Sequence, residues 1–379
     1  MARTSISFIL LACCATLAPA AATHAQAKNR ERVIYTFRGT GDGIYPATKL
    51  IGDDAGNLYG STLTSVYKVT DRGKFSALHV FRGGPEGTDP NGVVRDEAGN
   101  IYGTTRFDGE GGEGAAYRLA PDGTVTVLHA FGGGSDGANP ISELVRDGDG
   151  NLYGVTNRGG AHDAGTVFRI APDGSETILH AFTGGDDGGY PAAGLAMGQD
   201  GMLYGTTQGG KFQDGDIFRI SPDGAETVLH DFNGADGFLP WATPIFDADG
   251  NLYGTTAAGG AHNKGTVFRL SPDGTLKDLY AFTGGADGSG LQGGVIRDAE
   301  GNLYGGTYEG GAFGKGTIFK VTPKGREKVL YSFTGGADGW NPSAAPVIGS
   351  NGRLIGTTGY GGFCTGSTNG CGVVYSVRQ

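Results

Sequence analysis

Short runs of alternating apolar and polar residues, broken by Asp-Gly or Pro-Asp-Gly, recur along almost the whole chain. Residues 191–232 hold one full copy. A segment after Pro191 leads to a turn at Gln199-Asp-Gly, then Leu203-Tyr-Gly-Thr-Thr and a Gly-rich loop; Ile217-Phe-Arg-Ile, a turn at Pro222-Asp-Gly and Thr227-Val-Leu-His-Asp-Phe complete it. β-Branched and aromatic residues in runs this short, joined by Asp-Gly, specify strands in hairpins rather than helices. Each copy predicts four short strands.

The copies keep register. The aromatic of the Leu-Tyr-Gly signature falls at Tyr59, Tyr102, Tyr153, Tyr204, Tyr253 and Tyr304, and Ile355 holds the seventh slot. A second aromatic follows at Tyr67, Tyr117, Phe168, Phe218, Phe268, Phe319 and Tyr375, and a third series ends in Phe37, Phe81, Phe131, Phe182, Phe232, Phe282 and Phe333. Four strands roughly every 50 residues, seven times over, predict an all-β, seven-bladed β-propeller with four-stranded blades. A solenoid is the alternative, but it would want polar caps at both ends. Here residues 32–37 are a lone fourth strand and the last copy stops after its third, so the N-terminal strand can complete the last blade, closing the ring and hiding its sheet edges.

Composition changes the picture in two ways. The 75 Gly and 15 Pro make up just under a quarter of the 379 residues, a fraction that normally means disorder. The glycines return to fixed slots, however, and 19 Phe and 16 Tyr supply a core, so disorder is excluded. The balance of 29 basic and 39 acidic residues gives a net charge of −10 without any Lys or Arg cluster, which argues against a nucleic-acid partner.

Residues 1–27 read as a secretory signal peptide: Arg3, an apolar stretch from Ile6, and a small-residue end at Ala25-Gln26-Ala27. Cleavage there leaves residues 28–379 as a single propeller domain, periplasmic or extracellular, with no other apolar run long enough to span a membrane. Leu10-Leu11-Ala12-Cys13 also resembles a lipoprotein processing site, the lesser alternative. Cys13 and Cys14 leave with the leader. Cys364 and Cys371, with six residues between them in an exported chain, predict a disulfide.

The string Asp249-Gly-Asn-Leu-Tyr-Gly-Thr-Thr, followed by Gly-Gly-Ala-His-x-x-Gly-Thr-Val-Phe up to Phe268, has close copies at residues 151–168 and 302–319. It resembles the GloVer (Gloeo/Verruco) tandem repeat, and the resemblance covers essentially all of the chain after the leader. It implies an exported bacterial repeat protein and contributes no catalytic residue.

A residue found in the same slot of all seven copies is better suited to building blades than to doing chemistry. The slot before the third-series Phe holds Tyr35, His79, His129, His180, His230, Tyr280 and Tyr331. The histidines lie on different blades, too far apart to share one ion, so a hydrogen-bonded ring between blades is expected. The acidic slot of the following turn, Asp42, Glu86, Asp136, Asp187, Asp236, Asp287 and Asp338, reads first as Asp-Gly turn chemistry. Its alternative is a carboxylate ring at one channel mouth that could hold calcium.

Specific function is sought where the copies diverge. On the face carrying the long loops, Tyr45, Tyr190, Phe238, Trp241 and Trp340 could stack on sugar rings, or simply pack loop on loop. From the signature Gly to the next aromatic the second-to-third-strand loop runs 7 residues in blade 1, 13 or 14 in blades 2 to 6, and 19 in blade 7. Blade 1 is thus a notch flanked by the disulfide loop and by Arg106-Phe-Asp-Gly-Glu-Gly-Gly-Glu. There Arg106 is a candidate ligand contact, and Asp108, Glu110 and Glu113 could supply the acid and base of a glycosidase. His162 and His262 are candidate general bases, although Phe212 and Phe313 hold the same slot in blades 4 and 6, which suggests packing aromatics. The chain contains no nucleophile elbow, zinc signature or phosphate loop. The favoured function is binding of an extracellular glycan or cell-envelope polymer through the long-loop face. The alternatives are a polysaccharide lyase or glycoside hydrolase, and a protein-interaction scaffold. No cofactor is evident, although a uronate lyase with so acidic a face would need calcium.

Overall fold

In the fourth blade, Ala196–Met197, Leu203–Thr207, Asp216–Ile220 and Glu226–Asp231 pair antiparallel in chain order, from the inner strand to the outer one. The computed structural model describes residues 31–364 and 367–379 and repeats this order in every blade of a seven-bladed β-propeller. The expected leader, residues 1–27, lies outside the described residues. In the seventh blade Glu31–Thr36 is the outermost strand and lies antiparallel to Val373–Val377, Glu31 opposite Val377 and Thr36 opposite Val373. The N-terminal strand therefore closes the ring, as the incomplete copies at the two ends require. In the third blade the inner strand is interrupted, with Ala138–Pro140 and Val145–Arg146 both pairing to Leu152–Arg158.

The signature glycine of the second strand exists because the aromatic of the third strand lies across it. A Cβ added to Gly205 would sit 2.4 Å from Phe218 Cζ, one on Gly254 2.5 Å from Phe268 Cζ, and one on Gly356 2.4 Å from the Tyr375 hydroxyl. The covered ring then meets the phenylalanine that ends the preceding blade's outer strand. Phe37–Tyr67, Phe81–Tyr117, Phe131–Phe168, Phe182–Phe218, Phe232–Phe268, Phe282–Phe319 and Phe333–Tyr375 have centroids 4.8 to 5.4 Å apart, edge-on or tilted. That is the preferred geometry of aromatic pairs, and it passes from blade to blade around the whole ring.

Five of the short turns on the opposite face are each built by one carboxylate. Asp53 accepts hydrogen bonds from the Asn57 backbone and side chain and from the Tyr59 hydroxyl. Asp96, Asp147, Asp247 and Asp298 do the same with their own Asn and Tyr. Partial burial pushes these carboxyls up, but the hydrogen bonds prevail and hold all five below the ordinary value of 3.8. The Asn-Leu-Tyr signature is therefore a turn clamp.

The contact between glycine and ring predicts a non-additive pair. Gly205→Ala should destabilise the protein by about 1–3 kcal/mol through overpacking, and most of that loss should disappear in a Phe218→Leu background. Urea unfolding of the two single variants and the double variant measures the coupling; additive losses would show that the ring does not set the glycine.

Candidate functional site

Segments from all seven blades converge on the channel mouth at the long-loop face: residues 47–49, 91–92, 141–143, 192–194, 241–243, 292–294 and 343–345. Most of the side chains there are small, which leaves a cavity of about 160 Å³. A second cavity, of about 400 Å³, continues inward and shares Lys49, Glu143, Thr243 and Ile245 with the first. Lys49 and Glu143 are the charged side chains of the mouth, and Glu143 Oε1 accepts from the Thr243 hydroxyl at 2.9 Å. Trp241 is its one aromatic ring. Trp241 Nε1, Ser142 Oγ and Ser343 Oγ are buried and have no hydrogen-bond partner. Three unsatisfied polar groups around one opening are unusual, because a buried group left unpaired costs about 1–3 kcal/mol.

The aromatic set expected on this face is divided. Tyr45 and Trp340 both pack on Tyr360, at centroid distances of 5.1 and 4.7 Å. The Lys315 ammonium lies over the Trp340 ring at 4.3 Å, and Trp340 Nε1 donates to the Asn369 carbonyl at 3.3 Å. Tyr190 lies under the Arg158 guanidinium at 4.9 Å, and Phe238 forms an isolated bridge with Ala258. Trp241 alone of the five lines the channel mouth.

Beside the notch, ring closure sets blade 1 between blades 7 and 2, and Cys364 and Cys371 form a disulfide. The acids of the blade-2 loop engage different neighbours. Asp108 accepts from Thr88 at 2.8 Å on one side, Glu113 accepts from Asn139 at 3.2 Å on the other, and Glu110 is exposed. Arg106 lies over Phe107 at 4.8 Å. His162 and His262 are exposed, and so are Phe212 and Phe313, at 52% and 40%. The packing expected of this slot is only partial: Phe212 lies under the Lys211 ammonium at 5.4 Å while much of its ring faces solvent.

The seven turn acids are tied to their own outer strands. His79 bonds Glu86 at 2.9 Å, His129 bonds Asp136 at 2.9 Å and His230 bonds Asp236 at 3.0 Å. His180 Nε2 lies 3.4 Å from Asp187. Tyr35, Tyr280 and Tyr331 donate to Asp42, Asp287 and Asp338 at 2.8, 3.1 and 2.8 Å. The histidine slot thus bonds within its own repeat, where sequence suggested a ring between blades.

What does cross between blades is repulsion. Glu31, Glu176, Glu226 and Glu327, each opening an outer strand, face the turn acid of the blade before, and each has a buried Oε1 without a partner. Burial, followed by the charges of Asp338, Asp136, Asp187 and Asp287 respectively, pushes these carboxyls to about 7. At one seam His129, Asp136 and Glu176 bring their ligand atoms within 4.8 Å of one another, the one such trio among the described residues.

This geometry can be set beside known proteins. The family model of the Gloeobacter/Verrucomicrobia repeat matches residues 63–246 and 240–379, so the chain belongs to that family. No curated protein matches it. Among solved structures it is similar to a streptogramin B lyase, at 13% identity and a TM-score of 0.59 over 93% of this chain and 99% of that one. It is also similar to virginiamycin B lyase from Staphylococcus aureus, at 13% identity and a TM-score of 0.59 over 92% and 98% of the two chains. A third similarity is to the extracellular domain of a proposed hybrid two-component system of B. thetaiotaomicron, at 12% identity and a TM-score of 0.60 over 92% of this chain and 41% of that one. At such identities the likeness carries the fold alone. No helix among the described residues is long and apolar enough to cross a membrane.

The seam glutamates make stability depend on pH. Their folded pKa values lie above the unfolded value of 4.5, so the stabilising proton is fully bound below about 4.5 and lost as pH rises through about 7. The melting temperature in chelator should therefore fall between pH 5 and pH 8, a window set by those shifts. Combining Glu31→Gln, Glu176→Gln and Glu327→Gln should flatten that slope and raise the alkaline value. An unchanged slope would show that the three seams do not titrate.

Proposed function

We propose that this chain is an exported binding propeller that holds an extracellular glycan or cell-envelope polymer at the channel mouth of its long-loop face. The observation that carries this reading is the group of unpaired polar atoms, Trp241 Nε1, Ser142 Oγ and Ser343 Oγ, around a cavity that also presents one indole. A sugar answers both features, because its hydroxyls donate and accept while the faces of its ring are apolar enough to lie on an aromatic. Lys49 and Glu143 add one charge of each sign, so a neutral or zwitterionic polymer suits the mouth better than a densely charged one. The Cys364–Cys371 disulfide supports an oxidising compartment. Trp340 is already engaged by Tyr360 and Lys315, which favours a loop-packing role for the aromatic cluster beside the disulfide.

Affinity electrophoresis of the purified protein through gels containing neutral or uronic polysaccharides tests this. The wild type should be retarded by at least one of them; Trp241→Ala should lose most of that retardation, and Trp340→Ala should keep it. Loss in Trp340→Ala with retention in Trp241→Ala would move the site to the rim. Release of small oligosaccharides would make the protein a lyase or hydrolase.

A further inference from the structure

Blade 4 breaks the repeat at a buried position. Where the third and outer strands begin and end side by side, the other blades carry Ser, Thr, Ala or Val, but blade 4 places Asp216 directly across from Asp231. In blades 3, 5 and 6 this place is closed by paired hydroxyls, Thr156–Thr166, Thr256–Thr266 and Thr307–Thr317, 2.8 to 3.0 Å apart. Blade 4 keeps the first hydroxyl, Thr207, and replaces the second with a carboxylate.

That carboxylate is fully buried, and neither of its oxygens has a hydrogen-bond partner. Thr207 Oγ1 and Glu226 Oε1 are also buried without hydrogen-bond partners, and His180 Nε2 makes only the 3.4 Å ion-pair contact with Asp187. Two glycines let the backbone approach the carboxylate closely. A Cβ on Gly188 would lie 2.3 Å from Asp216 Oδ2 and 2.7 Å from Thr207 Oγ1; one on Gly210 would lie 3.0 Å from Asp216 Oδ2 and 3.5 Å from Asp231 Oδ1. Burial chiefly pushes the Asp216 carboxyl up to about 8; the Thr207 hydroxyl, which faces it without reaching full hydrogen-bond geometry, opposes that rise, and the charges of Asp231, Glu226 and Asp187 add to it.

We propose that the seam between blades 3 and 4 is a site for one hard divalent cation, with Asp216 as its central ligand and Asp231 and Thr207 beside it. Calcium takes six to eight oxygen ligands and readily mixes carboxylate, hydroxyl and water. Asp187 and Glu226 would balance its charge. A proton would neutralise one oxygen of Asp216 and leave the other oxygen still unpaired, whereas a cation answers both oxygens and the neighbouring acids at once. It would also tie the turn leaving blade 3 to the strands of blade 4, and it would do so at one place in an otherwise symmetric ring.

Calcium is the probe. Calorimetric titration of chelator-stripped full-length protein should show one Ca²⁺ per chain, and millimolar Ca²⁺ should raise the melting temperature over that in EDTA. Asp216→Thr restores the residue that blades 3, 5 and 6 carry, so it should fold. It should lose Ca²⁺ binding, melt at the same temperature in Ca²⁺ and EDTA, and exceed the wild type in EDTA. Asp231→Ala, the residue of blades 2, 3 and 5, should weaken binding without unfolding the chain. The proposal is overturned if the wild type binds no Ca²⁺, or if Asp216→Thr binds it undiminished. It is equally overturned if acidification stabilises the wild type and Ca²⁺ does not.

Discussion

The structure depends on an aromatic ring laid across a glycine, with the phenylalanine of the preceding blade against the ring's edge. Phe218 over Gly205, met by Phe182, is one instance of seven. The contact fixes three things together. It sets how close the second and third strands of a blade come, it sets which side chain crosses to the next blade, and it sets the angle at which the next blade follows. With every blade bound to the one before, the last must be bound to the first. Phe37 on the N-terminal strand meets Tyr67, and Phe333 meets Tyr375, so closure by that strand follows from the same contact.

Because the aromatic relay holds the middle of each blade, the inner and outer ends are free to differ. At the inner end, small residues keep the channel open, and the few larger ones, Trp241, Lys49 and Glu143, give it character. At the outer end, the strands meet through acids that repel across five of the seams. Such a seam is tolerable only if it is shielded by a proton or a cation. The rim of the propeller is thus its chemically responsive part, while the aromatic belt is not.

The strands, their count, their order and the closing strand were legible in the sequence because each rests on a local signal repeated seven times. Asp-Gly turns, the Tyr-Gly pair and the terminal Phe all act within or next to their own copy. The site was only partly legible. Trp241 stood out as an aromatic beside Pro240, but Ser142, Ser343, Lys49 and Glu143 did not, because convergence on one axis unites residues about 50 positions apart. The aromatics after the turn acids looked alike in sequence, yet Trp340 and Tyr45 are taken by Tyr360, a residue of the long blade-7 loop whose path no local signal gives. The turn acids showed their turn role. Their histidine and tyrosine partners lie six or seven residues away in chain order, a pairing that the twist of the outer strand creates.

Asp216 teaches a further point about repeats. Scanning for shared residues finds the scaffold, and scanning long loops for differences finds the faces, but neither examines a buried slot where six copies agree on small or hydroxylated side chains. An aspartate there defies the solvation that shaped the other six, since a buried carboxylate with no partner is among the more costly groups a core can hold. Nothing in the aromatic belt needs it, because Phe218 crosses to Phe182 as its counterparts do. In a ring whose copies solve every packing problem the same way, a costly exception that packing does not require points to a ligand.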